Sequence, residues 1–142
     1  MKYYDKDNKR LVYIGSHADD SYWDQHWDTD DFKKAIQRNF DPFVTGHTKK
    51  YIKKGGRILE GGCGIGQNVY LLNKLGYDVV GIDYAQKTVD KINTYAPELN
   101  VRFGDVRSLV FENDFFDGYW SFGVIEHFYN GYDEIMIEMH RV

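Results

Sequence analysis

Seven consecutive residues, Glu60-Gly61-Gly62-Cys63-Gly64-Ile65-Gly66, carry four glycines between a short apolar run and an amphipathic one. Lacking a Cβ, glycine lets a chain turn tightly and lets another molecule approach its backbone. A loop of this kind between a strand and a helix also presents the helix's first N–H groups, which have no partner within the helix. The flanking sequence supplies both elements. Arg57-Ile58-Leu59-Glu60 reads as a strand, and Asn68 to Leu75 as a helix with Val69, Leu72 and Leu75 inward and Gly76 ending it.

The same rhythm then repeats. Asp78 to Asp83 reads as a buried strand, and Ala85 to Tyr95 as a helix with Val89 and Ile92 on one face, closed before Pro97. Asn100 to Phe103 reads as a third strand and Gly118 to Ile125 as a fourth, followed by a last helix from Asp133 to Val142 with Ile135, Met139 and Val142 inward. Strands alternating with helices predict an α/β fold with a mostly parallel sheet covered on both faces. Sheets of that kind take ligands beyond the carboxyl ends of their strands.

Residues 1–56 read as a helical elaboration on a core of residues 57–142, the 142 residues forming one domain. Leu11 to Ile14 is a candidate strand closed by Gly15. Trp23 and Trp27 are four apart and share one helical face. Thr29 is a candidate cap for a helix opening at Asp30-Asp31, with Phe32, Ile36 and Phe40 as its apolar stripe. Asp41-Pro42 opens a third helix, expected to run to about Lys54 and stop at Gly55-Gly56.

Two acids accompany the glycine loop. Asp83 ends the second strand of the core, where a carboxylate can accept from two ribose hydroxyls. Asp105 follows Gly104 beyond the third strand and can accept from an exocyclic amine such as adenine's. Each acid alone is equally explained as a helix cap or an Asx turn. Successive strand ends, each closed by glycine and acid, point to one shared ligand. Gln67 stands where a dinucleotide fingerprint needs its third glycine, which argues against NAD, and no Gly-Lys-Ser/Thr sequence makes a phosphate loop.

The run Ile58-Leu59-Glu60-Gly61-Gly62-Cys63-Gly64-Ile65-Gly66 resembles motif I of class I S-adenosylmethionine-dependent methyltransferases. Gly81-Ile82-Asp83 resembles motif II, Gly104-Asp105-Val106 motif III, and Phe122-Gly123-Val124-Ile125-Glu126-His127-Phe128 the fourth-strand signature of the small-molecule enzymes. The resemblance implies a Rossmann-like sheet of which this chain supplies strands in the order 3-2-1-4, stopping before strand five. It implies S-adenosylmethionine as cofactor, S-adenosylhomocysteine as product and a small-molecule methyl acceptor. It further implies that Glu60 and the backbone of Gly62 and Gly64, with Gly66 in the same loop, surround the methionine part. Asp83 would hold the ribose, Tyr84 pack on the adenine, Asp105 take its amine and Val106 donate a backbone N–H. The Phe122 carbonyl would meet the methionine ammonium. Gly61, where many relatives carry a larger residue, is expected to loosen the turn.

His127 follows the fourth strand, near where a methyl group would sit, and is a candidate base or substrate contact; packing or capping explains it equally well. Tyr22, Trp23, His26 and Trp27 are candidates for a lid, or for plain core packing. Cys63 has no base evident in sequence and is not expected to act as a nucleophile. The net charge of −4 makes a poor non-specific partner for nucleic acid. The single cysteine excludes a disulfide framework and fits a reducing, cytoplasmic setting. The opening residues do not read as a signal peptide, no run is long and apolar enough for a membrane, and the five histidines lack metal-ligand spacing. The apolar fourth strand is expected to be an open edge able to pair with a second copy. A catalytically silent binding or assembly module is the alternative to an enzyme.

Overall fold

A computed structural model describes residues 1–15, 19–28, 31–37 and 41–142. Its centre is a four-stranded parallel sheet of β3 (Arg57–Gly61), β4 (Asp78–Asp83), β5 (Asn100–Phe103) and β6 (Gly118–Ser121) in the order β5-β4-β3-β6. This is the order 3-2-1-4 expected from sequence. Parallel neighbours need crossovers, and helices supply two of them: α4 (Gln67–Lys74) links β3 to β4, and α5 (Gln86–Tyr95) links β4 to β5.

Adjacent residues on each strand point to opposite faces. Ile58 and Val79 pack on one side with Val69, Leu72, Val89 and Ile92. Leu59, Val80 and Ile82 pack on the other with Leu109 and Val142, the residue that ends α6 (Asp133–Arg141). Burial on both faces is why these strands read as continuous apolar runs rather than alternating ones. Register places the strand tips side by side: Gly61 lies opposite both Ile82 and Ser121, and Asp83 opposite Phe103.

Three amino-terminal elements pack around this sheet: α1 (Asp20–His26), α2 (Phe32–Gln37) and α3 (Pro42–Tyr51). Asp41 caps α3 as expected, accepting from the N–H groups of Phe43 and Val44 at 2.8 and 3.3 Å. In α2 the Lys34 N–H donates to Asp31, while Thr29, Asp30 and Phe40 lie outside the described residues. Gln67, read from sequence only as a missing glycine, donates from its side chain to the Ala35 carbonyl at 2.8 Å and so ties α4 to α2.

Three expectations need correction. The candidate strand Leu11–Ile14 is present with shifted bounds, as β2 (Arg10–Tyr13), and pairs in an antiparallel hairpin with β1 (Lys2–Asp5). The third helix ends at Tyr51 rather than Lys54, because Ile52 turns extended and lays its side chain against Gly56 and Gly118. The fourth core strand ends at Ser121, not Ile125; Gly123 turns with φ +66° and residues Ile125–His127 form a short 3-10 turn. At Gly61, where relatives carry a larger residue, this chain has no room for one, since a Cβ there would sit inside the Tyr119 hydroxyl. Among the described residues, no helix is long and apolar enough to cross a membrane.

Candidate functional site

Beyond the carboxyl ends of the strands lies a cleft of about 1120 Å3. Gly62, Asp83, Tyr84, Asp105, Val106, Phe122 and His127, all singled out from sequence, line it. Glu60, Gly64 and Gly66, also singled out from sequence, are not among its lining residues.

The glycine loop has its shape for a local reason. Gly62, Gly64 and Gly66 adopt φ of +74°, +52° and +77°, a region L side chains rarely enter. Gly64 is constrained a second time, because a Cβ there would lie 2.8 Å from the ring of Trp27. The loop is pinned to β4 by Asp83, whose Oδ2 accepts the Gly64 N–H at 2.7 Å while Oδ1 accepts the Ala85 N–H at 3.0 Å. Capping and loop-holding are therefore both real roles of Asp83. The Tyr84 N–H also acts on this carboxylate, so of its about four acceptor positions about one remains for a ligand's hydroxyl. Burial raises the Asp83 pKa, its backbone hydrogen bonds lower it, and the Asp24 charge nearby raises it further.

Glu60 is 3% exposed on the loop's inner side. Its Oε1 accepts from the Asn68 side chain at 2.6 Å, while Oε2 has no hydrogen-bond partner. Burial pushes its pKa up to about 8, with Asn68 and the Val69 N–H offsetting only part. At neutral pH the group is thus mostly an uncharged acid. Because the folded pKa lies above the unfolded value, this carboxyl supports folding at low pH, and that support fades between about pH 4.5 and 8. Glu60→Gln, which keeps the acceptor for Asn68 but cannot ionise, is expected to gain stability relative to the parent as pH rises from 5 to 9. Thermal unfolding across that range checks it; parallel pH profiles for the two proteins would reject it.

Asp105 departs from the sequence picture. Its Oδ1 accepts the Arg107 N–H at 2.8 Å, and the Arg107 guanidinium grips both oxygens. That guanidinium holds the Asp105 carboxyl below the usual carboxylate range. Arg107 was missed from sequence, although its place two residues after an Asx-turn acid was the available signal. It also lies 5.4 Å from the Phe128 ring, so it closes one end of the cleft. A ligand amine would share Asp105 with it.

The far side of the cleft is aromatic. His127 is exposed in its 3-10 turn and meets Trp23 edge-on, with ring centroids 4.9 Å apart. Trp23 and His26 of α1 and Trp27, which caps it, line the cleft, so three of the four aromatic candidates there face it. Phe122 is 42% exposed and stacks on Trp120 at 5.2 Å. Cys63 is buried, and burial together with the charges of Asp83 and Glu60 raises its pKa well above the ordinary thiol value. That environment removes its nucleophilic form, as expected from sequence.

A family model described as a methyltransferase domain matches residues 59–142, more than half of the chain. The chain belongs to that family. This methyltransferase domain is 32% identical over 76 residues to a protein of Mycolicibacterium smegmatis described as a "probable S-adenosylmethionine-dependent methyltransferase", covering 54% of this chain and 30% of that one. It is 32% identical over 87 residues to a ubiquinone biosynthesis O-methyltransferase of Rickettsia akari, covering 59% and 34%. Among solved structures, a TehB-like SAM-dependent methyltransferase from Corynebacterium glutamicum superposes with TM-score 0.64 at 26% identity, covering 86% of this chain and 65% of the other. The methyltransferase domain described here thus spans about a third of the length of the curated relatives it matches.

Proposed function

We propose that the cleft binds S-adenosylmethionine and that the chain carries the cofactor-binding part of a methyltransferase acting on a small molecule. The observation that carries this reading is the convergence of Gly62, Asp83, Asp105 and Phe122 on one hollow at the strand tips of a methyltransferase-family fold. The residues fit the cofactor's chemistry. It has no phosphate, and the loop from Glu60 to Gly66 has no lysine. It has a ribose, for which the cleft-lining Asp83 keeps about one acceptor position. It carries an ammonium, and Glu60 offers an orphaned, buried Oε2 behind the loop.

When bound, the cofactor supplies a methyl group on a sulfonium. The chain's own task is to hold that sulfonium in line with an acceptor and to keep water away. Asp83 orients the ribose, Tyr84 covers the adenine, and Asp105 with the Val106 N–H reads the base's edge. The Phe122 carbonyl and Glu60 fix the methionine end. Trp23 and Trp27 close the open side. His127, at the mouth, receives the acceptor's proton where the acceptor carries one. The small-molecule assignment rests on the fourth-strand signature and on the ubiquinone biosynthesis relative. Residues 1–56 serve as the cap and 57–142 as the core of one domain.

Calorimetric titration with S-adenosylhomocysteine tests the cofactor reading. A measurable heat with one-to-one stoichiometry and an upward shift of the unfolding temperature are expected. Absence of both would reject it. Binding without methyl transfer across a panel of small acceptors would favour the silent-module alternative.

A further inference from the structure

Helix α5 begins without a cap of its own. Its cap position is Ala85, which has no side-chain acceptor, so the N–H groups of its first turn must find partners elsewhere. Thr88 lies in that turn and is 2% exposed, so water cannot serve it. Its partner comes from 64 residues earlier in the chain: Asp24 Oδ1 accepts the Thr88 N–H at 3.0 Å and the Thr88 hydroxyl at 3.2 Å. One turn further along each helix axis, Lys91 of α5 pairs with Asp28 just beyond α1.

The same short helix reaches both other walls of the cleft. Trp23, the neighbour of Asp24, meets His127, and Trp27 lies against Gly64 of the glycine loop. The polar bonds to α5 therefore hold two indole rings over the cleft.

We propose that Asp24 is a positioning residue: by capping α5 from α1 it latches the tryptophan-bearing helix across the cleft and sets how fast the cofactor enters and leaves. The exchange-rate part rests on the cofactor reading above; the capping part stands without it. An accepting oxygen is what the latch needs, not a charge, so Asp24→Asn retains it and Asp24→Ala abolishes it.

Two measurements test this. In stopped-flow experiments with S-adenosylhomocysteine, followed by intrinsic tryptophan fluorescence, Asp24→Ala is expected to raise the dissociation rate by roughly tenfold. Asp24→Asn is expected to stay near the parent rate, and Thr88→Val, which keeps the N–H bond but loses the hydroxyl, to fall between. In the ligand-free protein, amide hydrogen exchange of Thr88 should accelerate in Asp24→Ala and not in Asp24→Asn. If S-adenosylhomocysteine fails to bind the parent protein, the cofactor reading falls, and the exchange of the Thr88 amide still decides the latch. A folded Asp24→Ala with the parent's Thr88 exchange and the parent's ligand dissociation overturns the proposal. So does an Asp24→Asn indistinguishable from Asp24→Ala. Should Asp24→Ala fail to fold, Thr88→Val carries the test: parent-like ligand dissociation and parent-like α1 exchange in that variant overturn it.

Discussion

Replacing Asp83 by Ala is expected to weaken S-adenosylhomocysteine binding at least about tenfold and to lower stability by about 2 kcal/mol. The two losses share one cause. Asp83 accepts the N–H groups of Gly64 and Ala85, so its removal leaves two buried donors unpaired as well as removing the proposed ribose acceptor. Asp83→Asn separates these roles only in part. Its amide oxygen can serve one N–H, but its NH2 then faces the other, donor against donor. Chemical denaturation and calorimetry on both variants measure the two effects independently. If Asp83→Ala kept the parent's stability and affinity, the strand-tip account of the site would fail.

A second large effect is expected on the neighbouring strand β3. Gly61 lies beneath Tyr119, and a methyl group added there has no space, because the Tyr119 hydroxyl already occupies it. Gly61→Ala is expected to cost about 2 kcal/mol, in the range for overpacking a full core. That hydroxyl is itself buried without a hydrogen-bond partner, and burial, with Glu138 nearby, raises its pKa. Tyr119→Phe is therefore expected to be neutral, or stabilising by up to about 1 kcal/mol. Tyr119→Leu in the Gly61→Ala background should recover part of the loss, so the two positions should show coupling rather than additivity. Denaturation midpoints of the single and double variants report it; strict additivity would mean that the contact carries no energy.

The sheet was legible because its signals are local. Asp78–Asp83 and Asn100–Phe103 match their sequence boundaries, since each is a compact run ended by a residue that turns the chain. The loop glycines were legible because positive φ selects for them one residue at a time. The hairpin partner of β2 was not: in Lys2-Tyr3-Tyr4-Asp5 the strand is largely exposed, and Val12 opposite Tyr3 is the one residue in the pair of strands that is fully buried. The shortened fourth strand was misjudged because Phe122, Val124 and Ile125 are as apolar as a strand, yet they line or border the cleft rather than extend the sheet.

The site divides the same way. Seven of the ten residues singled out from sequence line the cleft, because a strand-end position fixes where a side chain can go. What sequence could not supply were partners set by tertiary contact. Asp24 reaches Thr88 across 64 residues, and no periodicity links them. Trp27 against Gly64 is likewise a contact between segments with no common pattern. Arg107 was nearer to hand, but its grip on Asp105 depends on the loop folding back on itself.

The lone thiol has a practical consequence. Cys63 sits inside the glycine loop, buried and electrostatically discouraged from ionising. An alkylating reagent can reach it only when the loop opens, so at reagent concentrations where modification outpaces reclosing the labelling rate is the opening rate. Protein chemistry on this chain thereby comes with a clock already installed in the loop beside its strand-tip cleft, with no other sulfhydryl in the 142 residues to confuse the reading.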